Sequence, residues 1–212
     1  MPDARRRLVA LACALVAFSL LLALAHAVGR APDPAWLMGR EATWVNHSTL
    51  VAWWITWCGY AYVLAPLALV SIALAVRYPA WRWRVALAIV ALLLAWQGAD
   101  LLQHHFMRPR RLDWVVKHET AFSFPSSHAA IATAFYVLWS AFVARSTLRG
   151  RAVAASLLAL LALAICWSRL ALGAHYLTDL VGGALWGVTV VALLAAAAPI
   201  NVFEGRPSPS LE

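Results

Sequence analysis

Six stretches of about twenty mostly apolar residues constrain this chain more than any motif within it. They begin near Leu8, Val51, Val85, Ser126, Ala152 and Tyr176. As an α-helix, each is long enough to cross a hydrocarbon core of about 30 Å. The hydrophobic fraction is 64% and the charged fraction 12%, against roughly 45 to 50% and about 25% in soluble domains. The sequence therefore predicts an all-α membrane protein with six transmembrane helices in one bundle. The longest polar stretches, Gly29 to Leu50 and His105 to Phe124, are loop-sized. One domain over residues 1–212 follows.

A formal charge of +8 does not point to nucleic acid, because the basic residues are dispersed between apolar runs instead of gathered on one soluble face. Arg5 to Arg7 precede the first run, Arg77, Arg82 and Arg84 lie between the second and third, and Arg145, Arg149 and Arg151 between the fourth and fifth. By the positive-inside rule these loops are cytoplasmic, as is the tail with Arg206. The outer loops then hold Arg108, Arg110, Arg111, Lys117 and Arg169, which orientation does not require. That excess predicts a site for an anion. Cys13, Cys58 and Cys166 fall inside the apolar runs without metal-ligand spacing and read as small core residues. The three N-terminal arginines, the run from Leu8 and the AHA at Ala25 to Ala27 have the outline of a signal peptide, but the run is longer than an ordinary signal core and suits a retained anchor.

Trp53, Trp54, Trp57, Trp81 and Trp83 flank the second span and read as an aromatic belt. Pro66 is expected to kink that span, and a short helix is expected near residues 42–46 of the first loop. Gly183 and Gly187 form a GxxxG that lets another helix approach. With spans three and five running outward and four and six inward, three polar segments converge on the outer face. They are Gln97 to Arg111, the PSSH of Pro125 to His128, and SRLALGAHYLTD from Ser168 to Asp179.

An ionisable residue beside an apolar span is costly and marks a cavity or a partner. His175 and Asp179 are four apart at the start of the sixth helix and share a face. A carboxylate there accepts one imidazole N–H and leaves the other nitrogen free as a nucleophile or base. His128, on another element, is then the candidate acid for the leaving group. Arg110 and Arg169 offer planar forks for phosphate oxygens, and Ser126 with the N–H groups of Ser127 and His128 forms an anion cradle at a helix start. Phosphoryl transfer is the predicted chemistry. An interhelical polar clamp at SRx5HxxxD is the alternative for these residues taken singly. Asp100 and His104, also four apart, read as a helix-end pair before a metal site, since two ligands without a third hold little.

These residues resemble the type 2 phosphatidic acid phosphatase superfamily, whose motifs are KxxxxxxRP, PSGH and SRxxxxxHxxxD. The third motif matches fully at Ser168, Arg169, His175 and Asp179. The second matches at Pro125, Ser126 and His128, with Ser127 in place of Gly. In the first motif the preferred register sets Gln103 at the lysine, Arg110 at the arginine and Arg111 at the proline. The other register uses Arg108 and Pro109 and sets Leu101 at the lysine. The motif core spans residues 97–187.

The resemblance implies a phosphohistidine on His175, oriented by Asp179, with His128 as acid and then as activator of water. Arg110, Arg169, Ser126 and Ser127 would hold the phosphate; Gln103 stands at the lysine position, and Arg111 or Lys117 is the candidate to replace its charge. It implies no metal or other cofactor. The expected substrate is a lipid phosphate or diphosphate within the bilayer, of the undecaprenyl diphosphate, phosphatidic acid, phosphatidylglycerol phosphate or lipid A type. The expected place is a bacterial inner membrane with the site facing the periplasm. A lipid phosphotransferase using the same histidine and a non-catalytic lipid-binding protein are the competing expectations.

Overall fold

A computed structural model of the chain describes residues 2–42, 49–111, 121–146 and 148–198. All regular structure among these residues is helical. Helix α1 (Pro2–Val28) is followed by the short α2 (Ala35–Ala42), and then by α3 (Thr49–Thr56) and α4 (Ala61–Arg77), joined through a single 3₁₀ turn at Trp57–Gly59. Helix α5 (Arg82–Phe106) crosses next, and α6 (Ser127–Ile131) runs through a π-helical segment, Ala132–Val137, into α7 (Leu138–Ala144). Helices α8 (Arg151–Ala171) and α9 (Leu177–Ala197) complete the chain. Five spans are long and apolar enough to cross a membrane among the described residues, and the pair α3–α4, bent by 48°, makes a sixth.

Small residues set how closely these helices pack, as expected where lipid supplies no hydrophobic drive for association. On α5, Ala88, Ala91, Ala95 and Ala99 recur at helical spacing and are wholly buried against Ala130 and Ala134 of the fourth span. The other faces of α5 present Val90, Leu93, Leu94 and Leu101 outward. Ala14, Ala17, Leu21 and Ala25 form the equivalent buried stripe of α1, which lies along α9. Cys13 is off that stripe and exposed, so the expectation of a core cysteine fails there. Gly183 and Gly187 pack within the chain, against Ser126 and Thr133.

The bend of the second span is also corrected. The second span bends at Trp57–Tyr60, where Tyr60 is extended (φ −98°, ψ 155°), and not at Pro66. Pro66 lies in the second turn of α4, inside a helix that continues to Arg77. Tyr136 Oη donates to the carbonyl of Cys58 at 2.7 Å, satisfying an acceptor that the broken helix leaves open. In the first loop, α2 covers Ala35–Ala42, just after Pro34. Its expected extent to residue 46 lies outside the described residues, as do Lys117 and Arg206. Trp81 stacks on Trp139 with centroids 6.0 Å apart, whereas Trp54 and Trp83 face outward.

Helices α1 and α9 run antiparallel. Arg6 donates to the carbonyls of Ala195 and Ala198 at 2.8 and 2.6 Å at one end of the bundle. At the opposite end, Asp33 accepts from the Thr178 N–H at 3.2 Å. The polar motifs all gather at this second end.

Candidate active site

The turn between α8 and α9 brings His175 back over the bundle. Gly173 has φ +67°, the left-handed conformation that glycine adopts without a Cβ penalty. The Gly173 N–H bonds the Leu170 carbonyl and the Ala174 N–H bonds the Arg169 carbonyl, both at 2.9 Å. This paired closure caps α8 and makes the connection to α9 short. His175 and Asp179 are both wholly buried, with His175 Nδ1 3.3 Å from Asp179 Oδ2.

Arg110 Nη1 lies 3.0 Å from His175 Nε2. A guanidinium only donates, so Nε2 accepts. The ring proton therefore sits on Nδ1 and points to Asp179. Burial pushes the His175 pKa down to about 4, the charge of Arg110 acts in the same direction, and the hydrogen bond to Asp179 opposes them. The imidazole is neutral at physiological pH, with one lone pair aimed at Arg110.

The PSSH segment docks on the same turn. Ser126 N–H bonds the Asp179 carbonyl at 2.9 Å, and Ser126 Oγ accepts from the Ala129 N–H as the N-cap of α6. His128, in the first turn, is buried and meets the Tyr60 ring edge-on at 4.7 Å. A Cβ on Gly59 would overlap the His128 ring, so the position of this imidazole depends on glycine at the break in the second span. Gln103 is buried and donates to the Pro125 carbonyl at 2.8 Å. Its amide braces the PSSH loop.

The arginines of the expected anion cluster do different things. Arg110 also reaches the carbonyls of Ala121 and Ala174 at 2.6 and 3.2 Å and lines a cavity. Arg169 is wholly buried, with Nη1 2.9 Å from Thr56 Oγ1 and 3.4 Å from Tyr60 Oη. Arg111 is buried with its guanidinium 5.4 Å from the Tyr176 ring centroid. Arg108 departs from expectation altogether. Its five N–H groups bond Ala31 O twice, Asp33 Oδ1, Thr178 Oγ1 and Asp179 Oδ1 at 2.6 to 2.9 Å. None is left for a ligand, because the ion pairs are fully buried and every donor is committed.

The cavity measures about 760 Å³ and runs between α4 and α5. Its polar end is formed by Asp100, Gln103, Arg110, Ser127 and His128, and its walls by Leu64, Ala68, Leu69, Ile89, Leu93 and Trp96. From Gln103 to Ile89 it follows α5 through about 21 Å of helical rise. Leu69, Leu93 and Trp96 are among the exposed apolar residues, so the cavity reaches the outer surface of the bundle.

Thr56, Tyr60, Gly59 and Asp33 were not legible as site residues. A break at WCGY within an apolar run is the signal for the first three. For Asp33 the signal is its sign, one of nine acidic residues against 17 Lys and Arg, in the connector between the first and second spans.

The family model of the PAP2 superfamily matches residues 8–202. A search among curated proteins returns no match. Among solved structures, a transmembrane PAP2-type phosphatidylglycerolphosphate phosphatase from Bacillus subtilis is similar at a TM-score of 0.71 and 21% identity, covering 85% of this chain and 93% of that one. Aquifex aeolicus LpxE is similar at 0.57 and 20%, covering 78% of this chain and 96% of the other.

Proposed function

This chain belongs to the PAP2 superfamily, and from that premise we propose that it is a phosphatase that hydrolyses a lipid phosphate or diphosphate through a phosphohistidine on His175. The observation that carries this reading is the cavity, which holds Asp100, Gln103, Arg110, Ser127 and His128 at one end and is lined mainly by apolar side chains along α4 and α5. A headgroup at one end and a hydrocarbon tail along α4 and α5 fit that division.

Arg110 exchanges its bond to His175 for a phosphate oxygen, exposing the Nε2 lone pair. Nε2 forms a bond to phosphorus as the bond to the lipid oxygen breaks, and His128 gives that oxygen a proton. Asp179 stabilises the positive charge that the imidazole gains. Water, deprotonated by His128, then attacks phosphorus, the N–P bond breaks and phosphate leaves. Ser126, Ser127 and Arg169 complete the phosphate surroundings. Gln103 and Arg111 act through the PSSH loop and the Tyr176 ring. The reaction uses no metal, so activity should survive a strong chelator.

The basic connectors lie at the Arg6 end, and the positive-inside rule puts that end in the cytoplasm. The site then faces the periplasm of a bacterial inner membrane. Both similar structures come from bacteria and are described as phosphatidylglycerolphosphate phosphatase and LpxE. Phosphatidylglycerol phosphate, phosphatidic acid, undecaprenyl diphosphate and lipid A form the panel for the test. Purified protein in detergent should release phosphate from at least one of them, with a labile phosphohistidine trapped by rapid quench and nothing released by His175→Ala. Turnover by that variant, or lipid binding without any release, would overturn the proposal.

A further inference from the structure

We propose that Arg108 and Asp33 are a positioning pair that holds the Asp179 carboxylate against His175 and keeps one net negative charge behind the imidazole. This rests on the reading of His175 as nucleophile. Asp179 Oδ1 accepts from Arg108 at 2.6 Å. Oδ2 accepts from the Tyr176 N–H at 3.0 Å and faces His175 Nδ1 at 3.3 Å. Two donors besides His175 thus fix the carboxylate plane, and all the side chains involved in the ion pairs are shielded from solvent.

An arginine alone in that position would work against the chemistry. Its charge, 2.6 Å from Asp179, would cancel the carboxylate as felt by an imidazole that turns positive when Nε2 bonds phosphorus. Asp33, 2.7 Å from the other end of the same guanidinium, restores the balance. The group of Arg108, Asp33 and Asp179 carries one positive and two negative charges, and the surplus carboxylate oxygen is the one facing His175. Desolvated charges of this kind act over short distances with little screening.

Asp33 also accepts from the Thr178 N–H and hydroxyl. The connector after α1 thus provides a carboxylate for the first turn of α9. The first span is thereby tied to the turn that carries His175.

The test compares wild type with Asp33→Asn, Asp33→Glu, Arg108→Lys and, as a stability control at the opposite end, Arg6→Met. Asp33→Asn should lower kcat and the rate of phosphohistidine formation by about 10- to 100-fold, the range for losing a charged hydrogen bond, with KM within about 3-fold. Asp33→Glu should recover most of the loss. Arg6→Met should lower the unfolding temperature without that change in kcat. The far-downfield proton resonance of His175 Nδ1–H should move upfield in Asp33→Asn, whatever the turnover. If Asp33→Asn does not fold, Arg108→Lys gives the same readouts and should lose about 10-fold in kcat by replacing the fork with a single ammonium. An unmoved resonance, a kcat within 2-fold of wild type, or a loss matched by Arg6→Met at equal destabilisation would overturn the pair's role. Turnover by His175→Ala would instead overturn the nucleophile assignment, and the resonance would still report on the pair.

Discussion

Arg108 and Arg110 are separated by one proline, yet they belong to two unlike regions of the site. On the α9 side everything is dry and paired: Arg108, Asp33, Thr178 and Asp179 satisfy one another with no donor of the guanidinium left over. On the α4–α5 side Arg110, Ser127 and His128 face a cavity that runs down into apolar walls. On the proposed reading, one region fixes geometry and the other receives the substrate. Residue type alone does not separate the two tasks, because the same side chain serves both. What separates them is whether the donors are already used.

The largest contrast comes from removing each arginine in turn. Arg108→Met strands Asp33 and Asp179 as buried carboxylates and should destabilise the protein by about 3 to 5 kcal/mol, read by unfolding in detergent. Arg110→Met should leave stability within about 1 kcal/mol, since Arg110 itself lines the cavity, and lower kcat/KM by about 10² to 10³. Equal losses of stability in the two variants would erase the distinction between a dry and an open region.

The pH dependence of stability sharpens it further. His175 has a folded pKa near 4 against an ordinary 6.5, so the unfolded chain takes up its proton first. The contribution of the buried neutral ring is whole above about pH 6.5 and is lost as pH falls towards 4, by up to about 3 kcal/mol. His175→Gln should flatten that slope between pH 6.5 and 4 in thermal unfolding. An unchanged slope would mean that the ring is better hydrated than its burial indicates.

Smaller effects are expected on the open side. Gly59→Ala introduces a Cβ against His128 and should reduce kcat by about 10-fold, comparable to losing one well-placed acid, with substrate binding little changed. Ala68→Phe fills the middle of the cavity and should raise KM several-fold for a long-chain lipid phosphate while sparing a short-chain water-soluble one. A parallel loss for both would show that the apolar walls do not hold the tail.

The sequence made the spans and the α8–α9 turn legible for a common reason: both rest on local spacing. Apolar runs report their own length, and residues 175 and 179 on one helix start can only share a face. PSSH was legible because a cap and a first turn are also local. The partners of Arg108 were not, since Ala31, Asp33 and Asp179 come from positions more than 70 residues away in either direction. Nor was the role of Gln103, whose amide meets a carbonyl on another span instead of standing open where the family carries lysine. The bend of the second span was assigned to the residue with the strongest helix-breaking chemistry, Pro66, while the fold broke the helix where Gly59 and Tyr60 meet His128.

The cavity reaches the surface of the bundle at Leu69, Leu93 and Trp96, which are surrounded by hydrocarbon when the spans cross a bilayer. On the proposed reading, a lipid substrate enters there sideways within one leaflet, without passing through water. Occupancy then follows the mole fraction of substrate among its neighbouring lipids, not its amount per volume of suspension. Adding inert lipid at constant bulk concentration should slow turnover in proportion to that surface dilution.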